Sequence, residues 1–197
     1  MNSKIGLFFG TFNPIHIGHL ALANYILEHS DLQELWFVVT PHNPHKKKNT
    51  LLDDYQRLHL VHLAVDEYPK LKASNIEFSL PQPSYTVNTL AHLSEKYPNK
   101  CFTLIMGEDN LKSFTKWKNY EVILEEYTIM VYPRIAAGEV NPALINHPHI
   151  IRIDAPIIEI SSTMVRGAIA AGKDLRYFMH HKVHEYIEEM GFYKNRS

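Results

Sequence analysis

The chain is poor in several features that mark common classes of protein. It has one cysteine, Cys101, in 197 residues, so no disulfide can form within it and nothing points to an oxidising compartment. No apolar run reaches the roughly 20 residues needed to span a bilayer, and Met1-Asn2-Ser3-Lys4 leads into a strand-like segment without the pattern of a signal peptide. A cytoplasmic protein with no membrane partner is expected. An excess of either charge is also missing: 20 Lys+Arg face 21 Asp+Glu, which argues against a chain that coats nucleic acid electrostatically. Repeats, low-complexity tracts and linkers are absent too. The expectation is therefore one domain over residues 1–197, with 161–197 as its C-terminal helical part. Composition does not decide between a monomer and a homo-oligomer.

What is abundant is histidine, 13 residues of it, which alone would suit a metal protein or a pH sensor as readily as an enzyme. Apolar periodicity supplies the elements. Ile5 to Phe9, Glu34 to Thr40, Cys101 to Met106, Thr128 to Tyr132 and Ile150 to Ile153 read as strands, and Ala73 to Leu80 alternates like another. Helical spacing runs over His19 to His29, Asp53 to Glu67, Ser84 to Tyr97 with Ser84 as its cap, Tyr120 to Glu126, Ser161 to Ala171 and Lys182 to Met190. Pro41 to Thr50, with two prolines and Lys46-Lys47-Lys48, reads as an exposed loop. Alternating strands and helices predict an α/β fold, a doubly wound, mostly parallel sheet covered on both faces. Ligands of such sheets sit outside the carboxyl ends of the strands, where the residues after Phe9, Val39 and Met106 must lie.

Gly10-Thr11-Phe12-Asn13-Pro14-Ile15-His16-Ile17-Gly18-His19 follows the first strand. Two histidines three apart at a helix start share a face. Gly18 leaves room for an approaching group, and the free N–H groups of a helix start favour an anion. The pair suits a triphosphate cradle, but an arbitrary pair so spaced is more often a helix cap. Zinc would need further ligands, and the loop has no Cys, Asp or Glu. Ile160-Ser161-Ser162-Thr163-Met164-Val165-Arg166 puts three hydroxyls at a second helix start with Arg166 one turn in, again either a polyphosphate site or a capped helix.

Together these strings resemble the two signatures of the nucleotidylyltransferases. The first is shared in reduced form with class I aminoacyl-tRNA synthetases; the second is the counterpart of the synthetases' Lys-Met-Ser-Lys-Ser loop. The resemblance implies a Rossmann-like fold. It also implies that His16 and His19 line the ATP phosphates, and that Ser162, Thr163 and Arg166 hold the β- and γ-phosphates. Phe9, Gly10, Thr11, Phe12, Gly18, Gly107, Asp109 and Ile160 complete the implied ATP site, with Mg²⁺ accompanying ATP and no metal site of the protein's own. One departure is that Phe9 stands where many members have a glycine.

Three middle segments resemble the nicotinate-nucleotide adenylyltransferases. Pro83-Ser84-Tyr85-Thr86-Val87-Asn88-Thr89-Leu90 is similar to their Ser-Tyr-Thr-x-Asp-Thr-Leu segment, with Asn88 for Asp. Gly107-Glu108-Asp109 with Phe114 and Trp117 is similar to their Gly-x-Asp and Phe-x-x-Trp block, and Pro44-His45-Lys46 to their Pro-His-Lys. By that resemblance Tyr85 and Thr86 receive a nicotinate carboxylate on their backbone, and Trp117 stacks on the pyridine. Lys46 reaches phosphate, and Arg134 contacts the mononucleotide or only the surface. The implied partners are ATP and nicotinate mononucleotide. The implied reaction makes nicotinate adenine dinucleotide (deamido-NAD) and pyrophosphate in NAD biosynthesis, with His16, His19, Lys46 and Arg166 carrying the charge stabilisation. Adenylyl transfer to nicotinamide mononucleotide or phosphopantetheine, and a non-catalytic nucleotide-binding module, are the alternatives. A tRNA synthetase is excluded, because 197 residues leave no room for an anticodon domain.

Overall fold

A computed structural model describes residues 2–41, 51–135 and 141–195. The described residues contain six strands: β1 (Ser3–Gly10), β2 (Glu34–Val39), β3 (Leu71–Ser74), β4 (Lys100–Gly107), β5 (Thr128–Tyr132) and β6 (Ile150–Arg152). They form one sheet in the order β3-β2-β1-β4-β5-β6. Every neighbouring pair is parallel, so the sheet is wholly rather than mostly parallel. The order reverses between β1 and β4, which opens a crevice at their carboxyl ends.

Strand alternation builds two cores. Ile5 and Leu7, Trp36 and Val38, Leu104 and Met106, Ile129 and Val131 face one side. Phe8, Phe37, Ile105, Met130 and Tyr132 face the other. Helices α3 (Thr86–Lys96), α4 (Glu108–Ser113), α5 (Tyr120–Glu126) and α6 (Pro142–Ile145) cover the first side through Leu90, Leu93, Leu111, Ile123 and Leu144. Helices α1 (Ile17–Glu28), α2 (Asp54–Val65), α7 (Ser162–Ala170) and α8 (His181–Met190) cover the second through Ile26, Val61, Val165 and Ile187.

Two expectations need correction. The alternation over Ala73 to Leu80 is not one strand: β3 ends at Ser74 and Ile76–Ser79 is a 3-10 turn. Two consecutive residues there, Ile76 and Glu77, are both buried, which the strict two-face alternation of a half-buried strand does not allow. Ser84 is not the cap of α3. Tyr85 occupies that position, its carbonyl accepting from the Asn88 and Thr89 N–H groups, while the Ser84 N–H donates to Gln82 Oε1 at 3.2 Å. The short helices α4 and α6 lack enough turns to show a period. Among the described residues no helix is long and apolar enough to cross a membrane.

Candidate functional site

At the crevice, β1 runs out at Gly10 and the chain turns sharply into α1. Phe12 carries the turn with a positive φ of 44°, an uncommon backbone state for a bulky residue. Its ring lies over Gly10, where an added Cβ would come within 2.8 Å of the Phe12 Cζ. The Phe12 side chain then packs edge-to-face on Phe37, with centroids 5.4 Å apart, and on His19 at 5.2 Å. The Phe12 ring therefore serves the core and fixes the loop, because the turn directs it inward. Thr11 remains exposed, and Phe9 packs against the α3 side of the sheet.

His16 caps α1 and His19 stands at its third position. Their rings stack with centroids 3.7 Å apart. The His16 backbone N–H donates to His19 Nδ1 at 3.3 Å, which leaves the proton of a neutral His19 on Nε2. His16 is buried, and burial followed by the Arg134 charge lowers its pKa to about 4. Burial, His16 and Arg134 hold His19 well below the ordinary imidazole value. In the free protein the pair is thus neutral and offers N–H donors. Gly18 is needed beside it, since a Cβ there would lie 3.1 Å from His16 Nδ1.

The second motif closes on the first. Ser161 caps α7, its hydroxyl accepting from the Met164 N–H at 3.1 Å. Ser162 Oγ donates to the Pro14 carbonyl at 2.9 Å, and Arg166 Nη1 donates to the Asn13 carbonyl at 2.7 Å. Arg166 Nη2 also donates to Thr163 Oγ1 at 3.3 Å. Segments about 150 residues apart in sequence thus form one cationic, donor-rich wall.

Two residues that hold this wall were missed by sequence reading. Arg57, 0% exposed, pairs with Asp54 and donates to the carbonyls of Thr11 (2.6 Å), Thr40 (2.9 Å) and Leu52 (3.1 Å). Its signal was a charged residue on the apolar stripe of α2, in line with Leu60, Val61 and Ala64. Asn13 Oδ1 accepts from the Leu52 N–H at 3.2 Å and from the Tyr193 hydroxyl at 2.8 Å. Nothing in the linear string distinguished that amide from a turn residue.

Gly107 ends β4 where Asp109, Tyr132 and Arg134 converge. A Cβ there would collide with the Asp109 carboxylate and lie 3.2 Å from Arg134 Cγ and 3.3 Å from Tyr132 Cε2. Arg134 lines the cleft of His16, Gly18, His19, Ile158 and Ile160, so it stands beside the residues assigned to ATP. Asp109, Ser161 and Ile160 border the adjoining recess. On the other side of β4, Tyr85 stands at the start of α3, 40% exposed, and Lys118 Nζ lies 4.3 Å from its ring centroid. The neighbouring Trp117 is half-buried, edge-to-face with Phe114 at 5.5 Å. The structure thus brings the Tyr85-Thr86 helix start beside the Trp117 turn. Lys46 lies outside the described residues. Among the described residues, no group of three or more His, Cys, Asp or Glu could hold a metal ion.

Residues 7–168 match the family model described as cytidylyltransferase-like. A curated protein of Christiangramia forsetii, named probable nicotinate-nucleotide adenylyltransferase, is 62% identical over 98% of this chain and 100% of its own. One of the same name from Bacteroides fragilis is 50% identical over 94% of this chain and 91% of its own. Among solved structures, Plasmodium falciparum nicotinic acid mononucleotide adenylyltransferase complexed with NaAD is similar with a TM-score of 0.80, at 20% identity and 97% coverage of both chains. That likeness speaks to the fold.

Proposed function

The chain belongs to the cytidylyltransferase-like family and, within it, to the nicotinate-nucleotide adenylyltransferases, and from that premise we propose that it transfers AMP from ATP to nicotinate mononucleotide. The product is nicotinate adenine dinucleotide, an intermediate of NAD biosynthesis. A 5′-phosphate oxygen of the mononucleotide attacks the α-phosphorus of ATP, and the bond from that phosphorus to the β-phosphate bridging oxygen breaks, releasing pyrophosphate. The attacking oxygen is already anionic, so no general base and no covalent intermediate are needed. Positioning and charge stabilisation supply the rate.

The observation that carries this reading is the closure of Ser162 and Arg166 onto the Asn13-Pro14 turn beside the stacked histidines. Triphosphate arriving there meets the His19 Nε2 proton, the α1 N-terminus and the guanidinium of Arg166, all fixed before charge builds on the α-phosphoryl. Bound phosphate also favours protonation of either imidazole. The Ser162 and Thr163 hydroxyls and the α7 N-terminus suit the leaving pyrophosphate. Tyr85 and Thr86 take the nicotinate carboxylate, Trp117 the pyridine face, and Lys46 the acceptor phosphate.

A Mg²⁺ ion would come with ATP, held by phosphate oxygens and water, as this cation prefers. The donors lining the cleft are imidazoles, hydroxyls and guanidinium, which suit a metal-bearing phosphate better than a bare ion. Bound, it would neutralise pyrophosphate charge. With its lone thiol, Cys101, exposed, the chain fits a reducing, cytoplasmic setting.

Pyrophosphate release measured with ATP and each of three acceptors tests the assignment. Nicotinate mononucleotide should outpace nicotinamide mononucleotide and phosphopantetheine in kcat/KM. An equal or faster rate with either rival would overturn it.

A further inference from the structure

Glu77 is the one buried carboxylate among the described residues, and the mechanism leaves it unused. It is 2% exposed, in the 3-10 turn that follows β3. Oε1 accepts from the Thr89 hydroxyl at 2.7 Å, while Oε2 has no hydrogen-bond partner among the described residues. A buried carboxyl with one satisfied oxygen is costly unless the site gains something from it.

Its surroundings show what is gained. Thr89 lies in the first turns of α3, and its hydroxyl also stands 3.4 Å from the Tyr85 carbonyl, while its N–H donates to that carbonyl at 3.1 Å. From the other direction, Gln82 Nε2 donates to the Glu77 backbone carbonyl at 3.1 Å, and Gln82 Oε1 accepts from the Ser84 N–H at 3.2 Å. Residue 77 therefore grips the Ser84-Tyr85-Thr86 segment on both flanks, by side chain through Thr89 and by backbone through Gln82. The hydroxyls of Thr40 and Ser84 lie close to the same carboxyl. Thr40 follows β2 directly, at the entrance to the segment that holds Lys46.

We propose that Glu77 is a positioning residue for the acceptor, its buried carboxyl setting the start of α3 so that the Tyr85 and Thr86 backbone can receive the nicotinate carboxylate. The inference rests on the reading of that segment given above. Burial raises the Glu77 pKa, against the pull of the Thr89, Thr40 and Ser84 hydroxyls. A neutral glutamine can take its place, keeping an oxygen for Thr89. Leucine cannot.

Steady-state kinetics with each substrate varied in turn test this on Glu77→Gln, Glu77→Leu, Thr89→Val and Thr86→Pro. Thr86 is the first residue of α3 and Tyr85 before it is extended, so proline fits the backbone there and removes the N–H offered to the carboxylate, along with the Thr86 hydroxyl. Glu77→Leu and Thr89→Val should raise KM for nicotinate mononucleotide by about tenfold, the cost of a misplaced hydrogen-bond donor. KM for ATP should stay within about twofold, and Glu77→Gln should behave as wild type. If Thr86→Pro raises the acceptor KM while the Leu and Val variants move both Michaelis constants alike, or neither, Glu77 is merely structural and the segment reading stands. If Thr86→Pro leaves the acceptor KM unchanged, the segment reading itself fails and takes the proposal with it. Should Glu77→Leu not fold, Thr89→Val, which deletes only the hydroxyl, decides.

Discussion

The two ends of the crevice are built on different principles. At the phosphate end, the Gly10 to His16 turn is held by Arg57 from α2, Ser162 and Arg166 from α7, and Tyr193 from beyond α8. Those partners are far away in sequence and Asn13, His16 and Arg57 are buried. At the acceptor end, Tyr85 is exposed and Trp117 half-buried, with ring contacts to Lys118 and Phe114. The phosphate end is rigid before ligand arrives, as charge stabilisation requires. The acceptor end presents open ring faces that gain burial only when a flat ligand covers them. Damage at the first should therefore appear in turnover and stability, and damage at the second in KM.

The largest contrast should come from His19→Ala. Its ring touches Phe8, Phe12 and His16 from a partly exposed position, so the fold should survive while a fixed N–H donor to the phosphates is lost. Loss of one such donor typically costs about 10²–10³ in kcat. Circular dichroism and pyrophosphate release on the same sample check it; a folded variant with near wild-type turnover would remove the phosphate end from the chemistry.

Next in size is an acid sensitivity at the phosphate end. His16 has a folded pKa of about 4 against 6.5 for the free imidazole. Between those values the unfolded chain binds the proton and the folded chain does not, so stability is complete above pH 6.5 and falls as pH drops toward 4. One such group lowers stability by about 2 kcal/mol from pH 7 to pH 5, and His19, shifted the same way, adds to it. Urea unfolding at the two pH values measures the loss, and His16→Gln should reduce it. A wild-type curve flat over this range would mean the histidines are not held neutral by burial.

How far these two ends could be read from sequence also differs. The strands β1, β2, β4 and β5 were legible because they are apolar runs buried on both faces, and the two phosphate strings because each residue type in them has a chemical reason to be there. What escaped was whatever depends on the third dimension. That the Phe12 ring packs into the core depends on a positive φ that the string does not show. Arg57 went unnoticed, since a sequence does not show that three carbonyls at strand and loop ends converge on one guanidinium. The boundary between β3 and the start of α3 was blurred for a related reason: Glu77 is polar yet buried, and period arguments assume that polar residues face water. The place of Arg134 stayed open between the mononucleotide and the surface because its position after β5 says where the backbone is, not which way a long side chain bends across Gly107.

The smallest effect, and the one that most directly separates the two ends, is that of Trp117→Ala. Trp117 packs on Phe114 from the rim of the core and keeps part of its ring in solvent. Removing it should cost little of the fold, because Phe114, which is fully buried, stays anchored by Tyr120 on its other side. What is lost is a flat apolar face for a pyridine, worth about 1 kcal/mol for an aromatic pair beyond the area it buries. KM for nicotinate mononucleotide should therefore rise by about five- to tenfold with kcat at saturation nearly unchanged. KM for ATP should not move, since the histidine cleft lies at the other end of the crevice and shares no lining residue with the Trp117 turn. Equal increases in both Michaelis constants would mean that the indole supports the whole crevice, and the division into a rigid donor wall and an open acceptor face would have to be given up.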